Sequence, residues 1–332
     1  MTDIENGHAG GCLCGAVRYK TVNHNGNAFV CNCHACQKIT GGPFLVEHCF
    51  TKDEIEVLVG VPSVYVHVSE GSGKEVYLHF CRECGTHLFL TFERWEDTMN
   101  IFTTTLDLPH GVRFDAETLQ YLFLDAAQSG TITPKGFHAF DAHCEPADGS
   151  QPVEHVYSKD TLNGAKDEGS GAHTGGCLCG NIRYEADEQP EAVVICHCRS
   201  CQKSLGSGVN FELLWAPSKF RVTKGTPSVH RHPGGSGKML EKRFCGDCGS
   251  ALWLTGERFE EVGVFRGSLD KPNRIEVSPA TSIQIFLHEA LPSGMVIAEI
   301  EAFTAHRRAP DGSINPGHVY KDHWRVGGGA TA

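Results

Sequence analysis

At 332 residues, 40% hydrophobic and 21% charged, the chain is long enough for two cores and too apolar to be disordered. Its 29 basic and 40 acidic residues give a formal net charge of −11 without any Lys/Arg run, which argues against nucleic acid and anionic lipid as partners. No window approaches the ~20 apolar residues of a membrane helix, and the polar start "MTDIENGHAGG" lacks a secretory pattern, so a cytoplasmic location is expected.

The sixteen cysteines therefore point to metal rather than to a disulfide framework, which belongs mainly to small secreted domains. In chain order, "GGCLCG" at Gly10 places Cys12 and Cys14 ahead of "AVRYKTV", a β-rich run. Next come the C-x-C-x-x-C set Cys31, Cys33 and Cys36, and then "FLVEHCF", "EIEVLVGV" and "EVYLHF". The C-x-x-C pair Cys81 and Cys84 precedes "LFLTF". These short β-branched and aromatic runs, broken by Gly, Pro, Asn and Asp, predict a mainly β protein of short antiparallel strands.

The same order then repeats. Adding 165 to Cys12, Cys14, Cys31, Cys33 and Cys36 gives Cys177, Cys179, Cys196, Cys198 and Cys201; adding 164 to Cys81 and Cys84 gives Cys245 and Cys248. Beyond them "LDLP"/"LDKP", "DGS"/"DGS" and "HVY"/"HVY" recur at an offset of 163. A period this long is a duplicated domain rather than a solenoid. Expected boundaries are a first zinc domain over 1–158, a linker over 159–172 and a second zinc domain over 173–326, with "GGGATA" as a frayed end.

Seven thiols per copy divide most economically into four and three. Cys12, Cys14, Cys81 and Cys84, with Cys177, Cys179, Cys245 and Cys248, would close structural zinc sites; Cys31, Cys33 and Cys36, with Cys196, Cys198 and Cys201, would each leave a zinc position open for chemistry. Up to four zinc ions per chain follow. An iron–sulfur cluster in the four-thiol sets is the competing tenant, though the spacings differ from ferredoxin patterns. A histidine such as His34 or His197, or a remote one, completing a structural Cys₃His site also stays open.

Around the trios, Gln37 and Lys38, with Gln202 and Lys203, are candidate donors to the thiolates or contacts to a substrate or co-substrate. Glu47 and Glu212 could serve as general acid or base, but strand alternation favours the wet face for them. Cys49 and Cys144 align with Leu214 and Arg307 and read as inert thiols; most histidines read as unmatched. Arg199, Arg231, Lys242 and Arg243 give the second copy extra cations suited to an anionic ligand.

The motifs "GGCLCGAVRY", "CNCHACQKITGG" and "FCRECGTHLFL", repeated as "GGCLCGNIRY", "CHCRSCQKSLGSG" and "FCGDCGSALWL", resemble the glutathione-dependent formaldehyde-activating enzyme family, which includes centromere protein V. The resemblance covers both copies. It implies a zinc-stapled β-tent fold, structural zinc on the four-thiol sets and catalytic zinc on the trios. It also implies a carbon–sulfur lyase activity of the S-(hydroxymethyl)glutathione synthase type, with glutathione as co-substrate and formaldehyde as partner. A zinc lyase or hydrolase for another thiol adduct or small electrophile is the alternative, as is a non-catalytic interaction module. The duplication suggests an internal pseudo-dimer.

Overall fold

The computed structural model describes residues 7–22, 26–109, 115–164, 166–234, 237–257, 259–292, 294–309 and 311–326; "GGGATA" lies outside them. With 40% strand and 12% helix the protein is mainly β, and each half builds its own sheets. The first half opens with β1 (Ala9–Gly11), β2 (Arg18–Thr21), β3 (Ala28–Cys31), α1 (His34–Thr40), β4 (Leu45–Thr51), β5 (Ile55–Val59), β6 (Ser63–Val68) and β7 (Glu75–Phe80). It continues with β8 (His87–Phe92), β9 (Thr98–Phe102), β10 (Leu119–Leu122), β11 (Ile132–Thr133), β12 (His138–Phe140), β13 (Glu154–Val156) and β14 (Thr161–Leu162).

The second half repeats the plan as β15 (His173–Gly176), β16 (Arg183–Ala186), β17 (Ala192–Cys196), α2 (Arg199–Leu205), β18 (Asn210–Trp215), β19 (Phe220–Lys224) and β20 (Ser228–Pro233). It ends with β21 (Met239–Phe244), β22 (Ala251–Gly256), β23 (Phe259–Phe265), β24 (Ser282–Ile285), β25 (Met295–Val296) and β26 (Trp324–Arg325).

In each half a three-stranded sheet, β1-β2-β5 or β15-β16-β19, packs beside a larger one. The larger sheets run β13-β12-β10-β3-β4-β9-β8-β7-β6 and β20-β21-β22-β23-β18-β17-β24. Pairing is antiparallel except where β10 and β24 lie parallel to β3 and β17, and β12 parallel to β10. Register breaks recur at equivalent places, Arg18/Tyr19 with Arg183/Tyr184 and His79/Phe80 with Arg243/Phe244. Within 159–172, Thr161–Leu162 pairs with β11, and Trp324–Arg325 pairs with β25 in the same way. The structural repeat thus extends past the last matching sequence motif.

The repeated hexapeptide has a steric logic. Gly10 and Gly175 lie against the rings of Tyr19 and Tyr184, where a Cβ would come within 2.4 and 2.3 Å of ring atoms. Both tyrosines are fully buried, and their hydroxyls pair with Thr105 and Ser268. Gly15 and Gly180 close the turn at φ 79° and 74°, the left-handed region that other residues reach at a cost.

The halves contact each other through equivalent elements. α1 packs on the turn Arg266–Ser268, and α2 on Thr103–Thr105. Tyr65 on β6 packs into the second half's core beside Cys177, while Leu178 packs into the cluster around Cys31. His87 Nε2 lies 3.0 Å from the Cys248 carbonyl.

Candidate metal and active site

Folding brings the cysteines together in the four-plus-three partition. Within each of the sets Cys12/Cys14/Cys81/Cys84, Cys177/Cys179/Cys245/Cys248, Cys31/Cys33/Cys36 and Cys196/Cys198/Cys201, the sulfurs lie within 4.8 Å of one another. All sixteen thiols are unpaired by disulfides. In the four-thiol sets the contacts Cys12–Cys14, Cys14–Cys81, Cys177–Cys179 and Cys179–Cys245 measure 3.5, 3.7, 3.4 and 3.6 Å. A tetrahedron with Zn–S arms of about 2.3 Å has edges of about 3.8 Å, so these donor sets fit zinc.

Backbone N–H groups support the charged form of the sulfur. Val17 and Ile182 donate to Cys12 and Cys177 at 3.2 Å; Cys36 and Cys201 donate to Cys33 and Cys198 at 3.4 Å. One thiol in three of the sets is held well below the ordinary range by hydrogen bonds from its neighbours: Cys84 by Cys12 and Cys81, Cys177 by Cys245 and Cys248, and Cys33 by Cys31 and Cys36. Thiolate is the metal-binding form.

Each trio is built by a strand end and a helix start. Cys31 ends β3, Cys33 caps α1 and Cys36 sits in its first turn; Cys196, Cys198 and Cys201 repeat this on β17 and α2. The first trio borders a cavity of about 660 Å³ that also contains Glu47, Asn100 and His143.

Glu47 and Glu212 are where strand alternation misleads. Both are buried, at 6% and 9% exposure, because both faces of β4 and β18 are covered, so that consecutive residues are buried. Burial pushes the Glu47 carboxyl up to about 7, against a hydrogen bond from Asn100 Nδ2 at 3.0 Å. Burial, reinforced by the charge of Cys198, pushes Glu212 up to about 8. Asn100 Oδ1 is buried without a hydrogen-bond partner.

The Gln and Lys side chains after each trio face the scaffold. Gln37 Nε2 donates to the carbonyls of Asn32 and Ala126, at 2.5 and 2.7 Å, and Gln202 Nε2 to those of His197 and Glu289, at 2.6 and 2.8 Å. Both amides thus brace the loop that carries the trio. Lys38 crosses to the other half, donating to Ser268 O and Asp270 Oδ1 at 2.8 Å each; Lys203 reaches Asp107 Oδ1 at 2.9 Å.

The second half's extra cations are likewise engaged within the protein. Arg199 donates to the Thr104 and Leu106 carbonyls of the first half. Arg231 and Arg243 pair with Glu241, and buried Lys242 donates to Ser204 O at 3.1 Å. His34 is exposed and His197 buried, at equivalent chain positions to Arg199 and Asn32, so neither recurs in both trios.

Two histidine pairs escaped the sequence reading. Strand register matches His67 with His232, and the offset of 163 already aligned His143 with His306 in "AHCEPADGS" and "AHRRAPDGS". His67 and His143 line the first cavity, as do Cys49 and Cys144, both half-buried. His143 stacks on Trp95 at 5.3 Å.

Comparison with known proteins matches this arrangement to one family. The family model for glutathione-dependent formaldehyde-activating enzyme matches residues 7–121 and 172–289, most of both halves. The chain belongs to that family. A Halomonas elongata protein named "Putative glutathione-dependent formaldehyde-activating enzyme" is 29% identical over 101 residues, 30% of this chain. The chain spans 64% of that relative's length. A crystal structure of a Rhodobacter sphaeroides protein is similar at 20% identity and a TM-score of 0.25, covering 30% of this chain and 87% of that one. Among the described residues no helix is long and apolar enough to cross a membrane.

Proposed function

We propose that the protein is a zinc-dependent carbon–sulfur lyase that joins glutathione and formaldehyde into S-(hydroxymethyl)glutathione, or cleaves that adduct, at Cys31, Cys33 and Cys36. The observation that carries this reading is a three-thiol set bordering a 660 Å³ cavity shared with the buried Glu47–Asn100 pair. Zinc held by such a trio supplies Lewis acidity toward a thiol or a carbonyl oxygen.

In the joining direction the sulfur–carbon bond forms, the carbonyl π bond opens onto oxygen, and a proton moves from the thiol to that oxygen. Glu47 is the station for this proton. Its carboxyl is near half-protonation at neutral pH, where a group serves equally as acid and base. Asn100 fixes the orientation of the carboxyl through one oxygen.

For Cys196, Cys198 and Cys201 we propose a zinc site that is structural in effect. Cys198 is only 3% exposed, Asn210 Nδ2 approaches Cys201 Sγ at 3.9 Å, and α2 is pinned to the first half through Arg199. The four-thiol sets are proposed as structural zinc sites, and the two halves as an internal pseudo-dimer with boundaries near 158 and 173.

The deciding experiment is magnetisation-exchange NMR with ¹³C-formaldehyde and glutathione on zinc-loaded protein. Interconversion faster than the spontaneous rate, and lost in Cys33→Ser, supports the assignment. Exchange at the background rate in fully loaded protein overturns it.

A further inference from the structure

A second cavity lies on the seam between the halves, away from the trio cavity. It measures about 80 Å³, and its apolar walls come from equivalent positions: Val30, Phe44 and Val46 from the first half, Ile195, Val209 and Phe211 from the second. Equivalent positions at its polar end are Asn32 and His197. Here the pseudo-symmetry breaks.

Asn32 is occupied, its Nδ2 donating to the Leu122 carbonyl at 2.9 Å. Asn163 and Thr131, which also border the cavity, are engaged with each other and with Thr133 and Gln128. His197 is different: it is 2% exposed, and its Nε2 is buried with no hydrogen-bond partner in the protein. A buried polar atom left in this state is destabilising, so its persistence beside a cavity points to an occupant.

Water alone is the weaker fit. An ordered buried water needs two to four polar partners, and most of the cavity wall is apolar. A cavity of about 150 Å³ accepts benzene; 80 Å³ accommodates roughly three heavy atoms on the same scale. Apolar walls with one unpaired polar atom select an uncharged ligand with one hydrogen-bonding end.

We propose that this seam is a binding site for a short-chain oxygenated molecule, an alcohol or a carbonyl compound of two carbons, anchored at His197 Nε2. The site is independent of the chemistry assigned to the trios. Because both halves supply its walls, a bound molecule stabilises their association by mass action.

The test is ¹³C NMR of the zinc-loaded full chain with ¹³C-ethanol and, separately, ¹³C-acetaldehyde. Saturable broadening of either signal is expected at millimolar concentration. Binding of both means that Nε2 carries the proton and donates to oxygen; binding of the alcohol alone means that Nε2 accepts.

Two variants locate the site. His197→Phe should weaken binding at least fivefold. Gly208→Ala should abolish it, because the added Cβ would lie 3.4 Å from Leu291 Cδ1 and Phe44 Cε2 and occupy the space without backbone clash. Zinc content and the thermal midpoint without probe show that each variant is folded. No saturable binding in the native chain, binding unchanged in His197→Phe, or a crystal soaked in probe with only water on Nε2 would each overturn the proposal.

Discussion

The two trios have the same three sulfurs on the same strand–helix corner, and they differ in what surrounds them. Beside the first, β7 and β9 contribute Leu78 and Asn100, and β4 begins with Leu45. At the equivalent positions the second half has Lys242, Gly263 and Asn210. Glu212 Oε1 occupies the space a side chain at 263 would need, 2.2 Å from where a Cβ would stand. The first half therefore holds its buried carboxyl with an amide from the adjacent strand, Asn100 at 3.0 Å, whereas in the second Asn210 of the same strand reaches Glu212 Oε2 at 3.5 Å and the other oxygen rests against backbone. Ligand geometry is cheap to duplicate; the setting that makes it reactive is not.

The largest test of that contrast removes one sulfur from each trio. Cys33→Ser should lower adduct exchange by at least about 10³-fold, the scale of losing an activated nucleophile or its metal. Cys198→Ser should leave the rate within about threefold while lowering the unfolding midpoint, because a closed metal site contributes to folding. Exchange NMR and denaturation of the same zinc-counted samples read both. A reversed pattern would move catalysis to the second half.

Next is the carboxyl. Glu47→Gln should slow exchange by roughly 10²-fold, the usual weight of one acid–base group, and Glu212→Gln should have little effect on rate. The pH dependence has a defined sign. With Glu47 titrating near 7, and no net proton exchanged with solvent in the reaction, formation and cleavage share one pH dependence and should both rise as the carboxylate forms through 7. Glutamine removes that rise.

Stability carries a matching signature. Glu212 is raised in the folded state to about 8, so its contribution is complete below the ordinary carboxyl range and is lost as pH climbs through 8. Glu212→Gln should flatten that slope in urea titrations.

These contrasts also show how much could be read before the fold was known. The duplication, the mainly β class and the grouping of fourteen thiols were legible, because cysteine spacing and fixed offsets are local arithmetic. The burial of Glu47 was not. Alternation in "FLVEHCF" assumes one wet face, and both faces of β4 are covered, so that successive residues are buried.

Nor could "QK" disclose its work. Lys38 meets Asp270, 232 residues away in sequence, through a pseudo-symmetric docking that no local pattern encodes. The matched histidines, by contrast, were within reach: the offset that paired "DGS" also pairs His143 with His306, and only their differing neighbours Cys144 and Arg307 obscured it.

A smaller effect tests the wall of the second trio. Lys242 is 1% exposed, and burial lowers the pKa of its ammonium even though the thiolates of Cys84, Cys81, Cys14 and Cys12 pull the other way. Lys242→Leu, which installs the first half's residue, should stabilise the protein by about 1–3 kcal/mol by removing a desolvated charge. Loss of stability instead would mean that the first half's four-thiol site relies on this ammonium as a counter-charge.

The smallest effect concerns the bridges that hold the trios' helices in place. Asp270 is held below the ordinary carboxylate range by Arg183 and Lys38 acting against burial, and Asp107 by Arg18 and Lys203. Their stabilisation is present above the unfolded carboxylate pKa and is lost as pH falls below it. Lys38→Met and Lys203→Met should each cost about 1 kcal/mol or less, as partly exposed pairs do, and should act symmetrically because the two bridges are equivalent. In acid, both bridges weaken together, so a single urea transition at neutral pH should begin to separate into two. If it stays single when Lys38→Met and Lys203→Met are combined, the halves are held by interlocked cores, with Tyr65 and Leu178 each seated in the opposite half, and the charged bridges only tune the helices that carry the cysteines.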